Sequence, residues 1–241
     1  MIANKCIFTL NHLGNYYMKN YYVMGYKPEK NMIQSIVSVA YFVKDLAHCK
    51  NYEDYPFYRK SDIKSFKSMF MVTKDFKKYT FDILSDNPNH YVVSVKFLNL
   101  LHQFQIPIHH IIPLVVVEHR NHDLRLENQF FYIEIEILSI ENTIDLVKSK
   151  FTYDEYNSIE DVLILKPNEN LEVDFFIIDE IGIKNQTPIC SEEFKIACEN
   201  EKIRGTKFFE IAYTPWLKGD SLDNYFAELK GETNEETLKT L

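Results

Sequence analysis

Glycine is scarce in this sequence, with 6 residues in a chain of 241. No glycine falls between Gly25 and Gly182. This gap excludes, over most of the chain, the glycine-rich loops that cradle phosphates and dinucleotides. A P-loop or Rossmann enzyme is therefore not expected.

Cysteine and long apolar runs are also in short supply. The four cysteines, Cys6, Cys49, Cys190 and Cys198, match no CxxC ligand pair and no disulfide framework, and the last two are interpreted as small core residues. No stretch of about 20 apolar residues is present, and residues 1–17 lack the cleavage pattern of a signal peptide. The sequence thus predicts a reducing, cytoplasmic location and no membrane partner.

Positively charged residues are fewer than negatively charged ones. The formal net charge is −8, and residues 84–241 carry 14 Lys and Arg against 28 Asp and Glu, whereas residues 1–83 carry 13 against 7. Nucleic-acid modules concentrate positive charge on one face, so no nucleic-acid partner is expected. The acidic part suits a basic protein partner, and the simpler alternative is that it only keeps the protein soluble.

The rest of the composition is that of an ordinary globular protein, with 46% hydrophobic residues. The clearest strand pattern covers residues 131–138, where Phe131 and Ile133 alternate with Glu134 and Glu136. This alternation predicts one core face and one solvent face that carries the two glutamates.

A shift of 97 residues aligns two helix-to-strand units in the chain. It places Ser94 on Ser191 and Phe97 on Phe194, and each serine is a predicted N-cap of an amphipathic helix. The pattern is generic, so a chance match is the alternative. The sequence predicts an α+β fold of two related lobes, each a mostly antiparallel sheet with a helix packed on it.

Four parts are predicted along the chain. They are an N-terminal extension over 1–17, an N-terminal lobe over 18–118, a C-terminal lobe over 119–219 and an acidic tail over 220–241. The stretch before Met18 has no clean amphipathic period, so Met18 is a candidate for the native initiator. Removal of that stretch is expected to be tolerated.

One cluster of residue types could carry metal chemistry. His119, His122 and Asp123 would offer two imidazoles and a carboxylate to zinc or a nuclease metal, although their spacing does not match the HExxH motif. No grouping of Ser, His and Asp or of Cys and His supports a nucleophile. We therefore predict a non-enzymatic protein without catalytic residues, cofactor or metal, and keep a metal-dependent hydrolase at this cluster as the alternative.

Several motifs resemble a known class of protein. The segments concerned are Phe130–Ile133, Asp145–Ser149, Asp174–Ile178, Pro188–Lys195 and Ile203–Phe208. Together they resemble the C-terminal half of immunity proteins from bacterial polymorphic toxin systems, of the immunity-protein families eleven and forty-three. Residues 91–118 are similar to the upstream unit of those families, and Met18–Val23 is similar to their usual start.

The resemblance implies a protein that neutralises a cognate toxin, encoded by the adjacent gene, by binding it. The expected mechanism is occlusion of the toxin's active or substrate-binding face by an acidic surface with buried aromatic anchors. The residues assigned to this interface are Glu134, Glu136, Asp179, Glu180 and Trp216. A non-catalytic adaptor domain without a toxin is the remaining alternative.

Overall fold

The computed structural model describes residues 19–30, 32–33, 40–43, 46, 66–74, 76–87, 89–153, 155, 159–178 and 188–211. The strands in these ranges are β1 (Tyr21–Tyr26), β2 (Ala40–Val43), β3 (Met69–Thr73), β4 (Ile83–Asn87), β5 (His90–Ser94), β6 (Ile108–Glu118), β7 (Arg125–Ile135), β8 (Ile137–Leu138), β9 (Lys150–Tyr153), β10 (Ile159–Ile164), β11 (Phe175–Ile178), β12 (Ile189–Ser191) and β13 (Thr206–Glu210). The α-helices are α1 (Val95–Gln103), α2 (Ile140–Thr143) and α3 (Glu192–Asn200), and a 3-10 helix spans Phe76–Lys78.

The strands form two larger sheets and one hairpin. The first sheet has the order β2-β3-β6-β7-β5-β4, the second has the order β13-β1-β12-β11-β8, and β9 pairs with β10. Neighbours are antiparallel except for β3 with β6 and β11 with β8. The predicted α+β class is confirmed.

Both predicted helices begin where the sequence places them. The hydroxyl of Ser94 accepts the N–H of Phe97 at 3.2 Å, and the hydroxyl of Ser191 accepts the N–H of Phe194 at 3.2 Å. Each helix has nine residues. The serine N-cap stabilises the helix because it accepts a backbone N–H of the first turn that would otherwise have no partner. Each is followed by one residue at φ 53°, Gln105 and Lys202, again 97 apart.

The strands around the two helices correspond as well. The order β6-β7-β5-β4 in the first sheet matches the order β13-β1-β12-β11 in the second, with the same antiparallel directions. Ile112 lies opposite Tyr132, and Phe209, 97 residues after Ile112, lies opposite Val23. The two units therefore share strand order, direction and register.

The predicted boundary between residues 118 and 119 does not separate the two sheets. β1 comes early in the chain but lies between β12 and β13, whereas β7 comes after the boundary and lies between β5 and β6. The four-part division of the chain stays a prediction, and its first and last parts lie outside the described residues.

The core has three main layers of apolar side chains. One lies between the sheets and contains Phe97 of α1, Phe194 of α3 and Phe175 of β11. A second covers the other face of the first sheet, with Phe130 and Tyr132 of β7, and a third covers the other face of the second sheet. The inner strands β5, β11 and β12 are thus buried on both faces.

Candidate functional site

Glu134 lies in the interior, with 6% of its surface exposed. In the register of the first sheet it stands between His90 of β5 and His110 of β6. Asn89 Nδ2 donates to Glu134 Oε1 at 3.4 Å, and His110 Nε2 lies 3.9 Å from Oε2. The predicted solvent-facing position of Glu134 is wrong, because the second core layer covers the face of β7 on which it lies.

The other residues assigned to the interface are placed differently. Glu136 follows β7, is partly exposed, and donates its N–H to the carbonyl of Pro107 at 3.4 Å. Asp179, Glu180 and Trp216 lie outside the described residues. The partner-binding role of all five residues stays a prediction.

His119, His122 and Asp123 lie in the turn between β6 and β7. The N–H of His119 donates to the carbonyl of Thr73, and the carbonyl of His122 accepts Arg125 Nε at 3.0 Å. In the described part of the chain, no three His, Cys, Asp or Glu side chains form a group that could hold a metal ion. The cluster predicted for a hydrolase metal therefore has no support from geometry.

Cys190 and Cys198 are free thiols in the layer between the sheets. Burial raises the pKa of Cys198 to about 12, and it also raises the pKa of Cys190. A thiol is a nucleophile only when it is deprotonated. Both residues act as small core side chains, and that interpretation is confirmed.

Two aspartates fix the starts of the long helices in the same way. The hydroxyl of Ser94 donates to Asp82 Oδ1 at 2.7 Å, and the hydroxyl of Ser191 donates to Asp174 Oδ1 at 2.6 Å. The N–H of Ser94 also donates to the Asp82 carbonyl, as that of Ser191 does to the Asp174 carbonyl. Each serine is therefore held by an aspartate at the start of a neighbouring strand.

The contact of these two aspartates with the capping serines is not predicted from the sequence. The spacing from Asp82 to Asp174 is 92 residues, five fewer than the 97 that relate the serines, because the loops between aspartate and serine differ in length. A search for the repeat at variable spacing would have shown an aspartate before the strand in each unit.

At Asp82 the two units are joined by further hydrogen bonds. The N–H of Arg204 donates to Asp82 Oδ2 at 2.7 Å, and the N–H of Asp82 donates to the Arg204 carbonyl at 3.1 Å. Arg204 Nε lies 3.8 Å from Oδ2, and the Asp82 side chain is only 6% exposed. The loop after α3 thus closes over this carboxylate.

At Asp174 the corresponding closure is missing. The residue 97 positions before Arg204 is Pro107, which has no N–H to donate. A cleft of about 260 Å³ lies here between the loop after α1 and the segment that leads into β11. Its apolar lining residues include Phe104, Ile106, Ile135, Leu138 and Phe175.

The cleft is acidic where it is polar. Among the described residues, Glu136, Glu172 and Asp174 line it together with the neutral Gln105, and none of those that line it is basic. Lys19 Nζ reaches Asp174 Oδ1 at 2.8 Å and the Glu172 carbonyl at 3.1 Å. No residue in the described ranges donates to Asp174 Oδ2, and the side chain is 21% exposed.

A second exposed feature is the turn at Asp145–Ser149. Asp145 Oδ1 accepts the N–H groups of Val147 and Lys148, each at 3.1 Å, and the N–H of Lys148 is the main cause that lowers the pKa of Asp145. This turn presents Leu146 with 48% and Val147 with 95% of their surfaces exposed. A fixed turn with an apolar tip can serve as a small protein contact.

None of the helices in the described ranges is both long and apolar enough to span a membrane.

Comparison with known protein families gives a match over most of the chain. The model of the family described as Immunity protein 43 matches residues 43–216. That match covers most of the chain, from the end of β2 past β13, and leaves β1 outside. Among curated proteins, none matches the sequence.

Proposed function

The chain belongs to the Immunity protein 43 family, and from this premise we propose that it binds a cognate secreted toxin in the cytoplasm and neutralises it. The family match is the observation that carries the proposal. The toxin would be encoded by the adjacent gene, as in polymorphic toxin systems. The protein acts by binding, without catalysis and without a cofactor.

The mechanism we propose is occlusion of the active or substrate-binding face of the toxin. The net charge of −8 supports attraction to a basic toxin surface, because complementary charge accelerates association. Exposed apolar side chains such as Leu146 and Val147 supply area that can be buried in a complex. A Kd of about 1 nM needs roughly −12 kcal/mol, which an interface of ordinary size can provide.

Co-expression tests the proposal. The C-terminal domain of the large secreted protein that we expect next to this gene is expressed with and without this chain, and growth is measured. We expect growth only when this chain is present, and co-purification of the two proteins. An unrelated toxin is the control, and it should not be neutralised.

Titration of the toxin in vitro separates binding from catalysis. A binding inhibitor stops toxin activity at about one equivalent, whereas an enzyme that repairs or modifies would protect at far lower ratios. Protection well below one equivalent would overturn the proposal of a non-enzymatic inhibitor. Growth arrest in the presence of this chain would contradict the proposal that this toxin is its partner.

A further inference from the structure

We infer that the acidic cleft beside Asp174 receives a basic loop of the partner, in the way that Asp82 receives Arg204 within this chain. The identity of the partner as a toxin rests on the proposed function. The chemistry of the cleft is inferred from the internal repeat. We call the Asp82 site, which Arg204 closes, the closed copy, and the Asp174 site the open copy. The closed copy shows which groups bind at the position that corresponds to the cleft.

The closed copy defines the occupant. Asp82 Oδ2 takes a backbone N–H and lies beside the guanidinium group of the same residue, Arg204. Its Oδ1 is occupied by the N-cap serine of α1. One carboxylate therefore holds its own helix with one oxygen and a basic peptide segment with the other.

The open copy keeps the first half of this arrangement and lacks the second. Asp174 Oδ1 is occupied by Ser191 and Lys19, but Pro107 replaces the residue that would donate an N–H to Oδ2. Within the described residues Oδ2 accepts no hydrogen bond. The cleft lies where the corresponding segment would close the contact.

The lining of the cleft matches an arginine or lysine side chain. Its apolar walls can cover the aliphatic part of such a side chain, and Glu136 and Glu172 can pair with the charged end. A backbone N–H of the same loop would satisfy Asp174 Oδ2. The cleft thus selects a basic segment rather than an acidic or purely apolar one.

The probe for this site is the peptide acetyl-Lys-Ile-Arg-Gly-amide, which copies residues 202–205. It is titrated to several millimolar into the full-length, isotope-labelled protein, and amide shifts are followed by NMR. We expect saturable shifts confined to residues 104–106 and 172–176. Acetyl-Lys-Ile-Glu-Gly-amide is the matched control and should give none, and saturable shifts elsewhere, or none with the basic peptide, would overturn the inference.

Two single charge-reversal variants of the protein test whether the peptide binds at the cleft. Glu172→Lys should weaken peptide binding about tenfold and leave the Asp174–Ser191 contact in place. Glu127→Lys is the matched control, because it is exposed on β7 and nine residues, or roughly 30 Å of strand, from Glu136. Equal weakening by both variants would show a general charge effect and overturn the site.

The same pair is then measured against the cognate toxin. We expect Glu172→Lys to weaken toxin binding at least tenfold, and Glu127→Lys to leave it unchanged. If the peptide binds but Glu172→Lys does not affect the toxin, the inference fails and the proposed function stands. If the toxin does not bind the unmodified protein, the proposed function fails, and the partner named here with it.

Shifts at the cleft that grow with protein concentration alone would identify a second copy of this chain as the occupant and overturn the inference.

Discussion

At the scale of single residues, Glu134 and Glu136 are two positions apart in sequence and differ in environment. Glu134 is enclosed with Asn89 and His110, whereas Glu136 lines a cleft that is open to solvent. A charge reversal at the two positions therefore has different consequences, although alternation in the sequence makes them equivalent.

Glu134→Lys should lower the free energy of unfolding by about 2–4 kcal/mol, because it places an ammonium group in a buried site beside two histidines. Glu136→Lys should change it by less than about 0.5 kcal/mol, the scale of ordinary surface substitutions. Urea denaturation of both variants measures the difference. Similar values for the two would contradict the buried position of Glu134.

The sequence predicts the helices better than the environment of β7, for a physical reason. A helix start is a local signal, and the capping serine and the first apolar residues lie within one turn of each other. Alternation in a strand shows two faces but does not show what covers each face. The residues that enclose Glu134 are distant from it in the chain, including Asn89 and His110, so no local pattern contains them.

At the scale of elements, each long helix begins at a serine that both caps the helix and binds an aspartate immediately before a neighbouring strand. The helix start and the strand start are thereby held in one position relative to each other. The short helix α2 offers a natural comparison, since Ser139 occupies its N-cap position without a side-chain capping bond.

Replacing Ser94 or Ser191 by alanine should destabilise the protein by about 1–2 kcal/mol, since each change removes a cap and leaves a carboxylate, buried at Asp82 and partly buried at Asp174, with one partner fewer. Ser139→Ala should cost less than about 0.5 kcal/mol. Thermal and urea unfolding of the three variants provide the measurement. The role assigned to the two serines fails if all three substitutions have the same effect.

The two long helices and their aspartates also show why the acidic cleft cannot be predicted from the sequence. The serines and helices repeat at one spacing, but Asp82 and Asp174 repeat at another, and the difference between the two sites depends on Pro107 and Arg204, which follow the helices. Only the pairing of distant segments brings those residues next to the aspartates.

At the scale of the whole molecule, the second sheet depends on a strand from the other end of the chain. β1 lies between β12 and β13, and its Val23 and Met24 are buried in different core layers. Without β1, the strand β13 has no neighbour among the described residues and β12 becomes an edge.

Deletion of residues 1–26 should therefore abolish cooperative unfolding, because it removes the strand that joins β13 to the sheet. A peptide of residues 19–30 added to the truncated protein should restore it in part. Deletion of residues 1–17 is the control, and we expect a change below about 0.5 kcal/mol. Urea denaturation followed by near-UV circular dichroism measures all three, and cooperative unfolding of the 1–26 deletion would contradict the structural role of β1.

The position of β1 in the second sheet also delays the folding of that sheet during synthesis. Its last residue, Tyr26, leaves the ribosome 184 positions before Glu210, the last residue of β13. At about 5–20 residues per second, this interval is roughly 10–40 s. For most of it, until β12 has been made, β1 has neither of its two partner strands and its apolar side chains are exposed to chaperones. The first sheet has all its strands by Ile135 and can form earlier, so a nascent chain arrested before Thr206 should hold a folded first sheet and give no protection against the toxin.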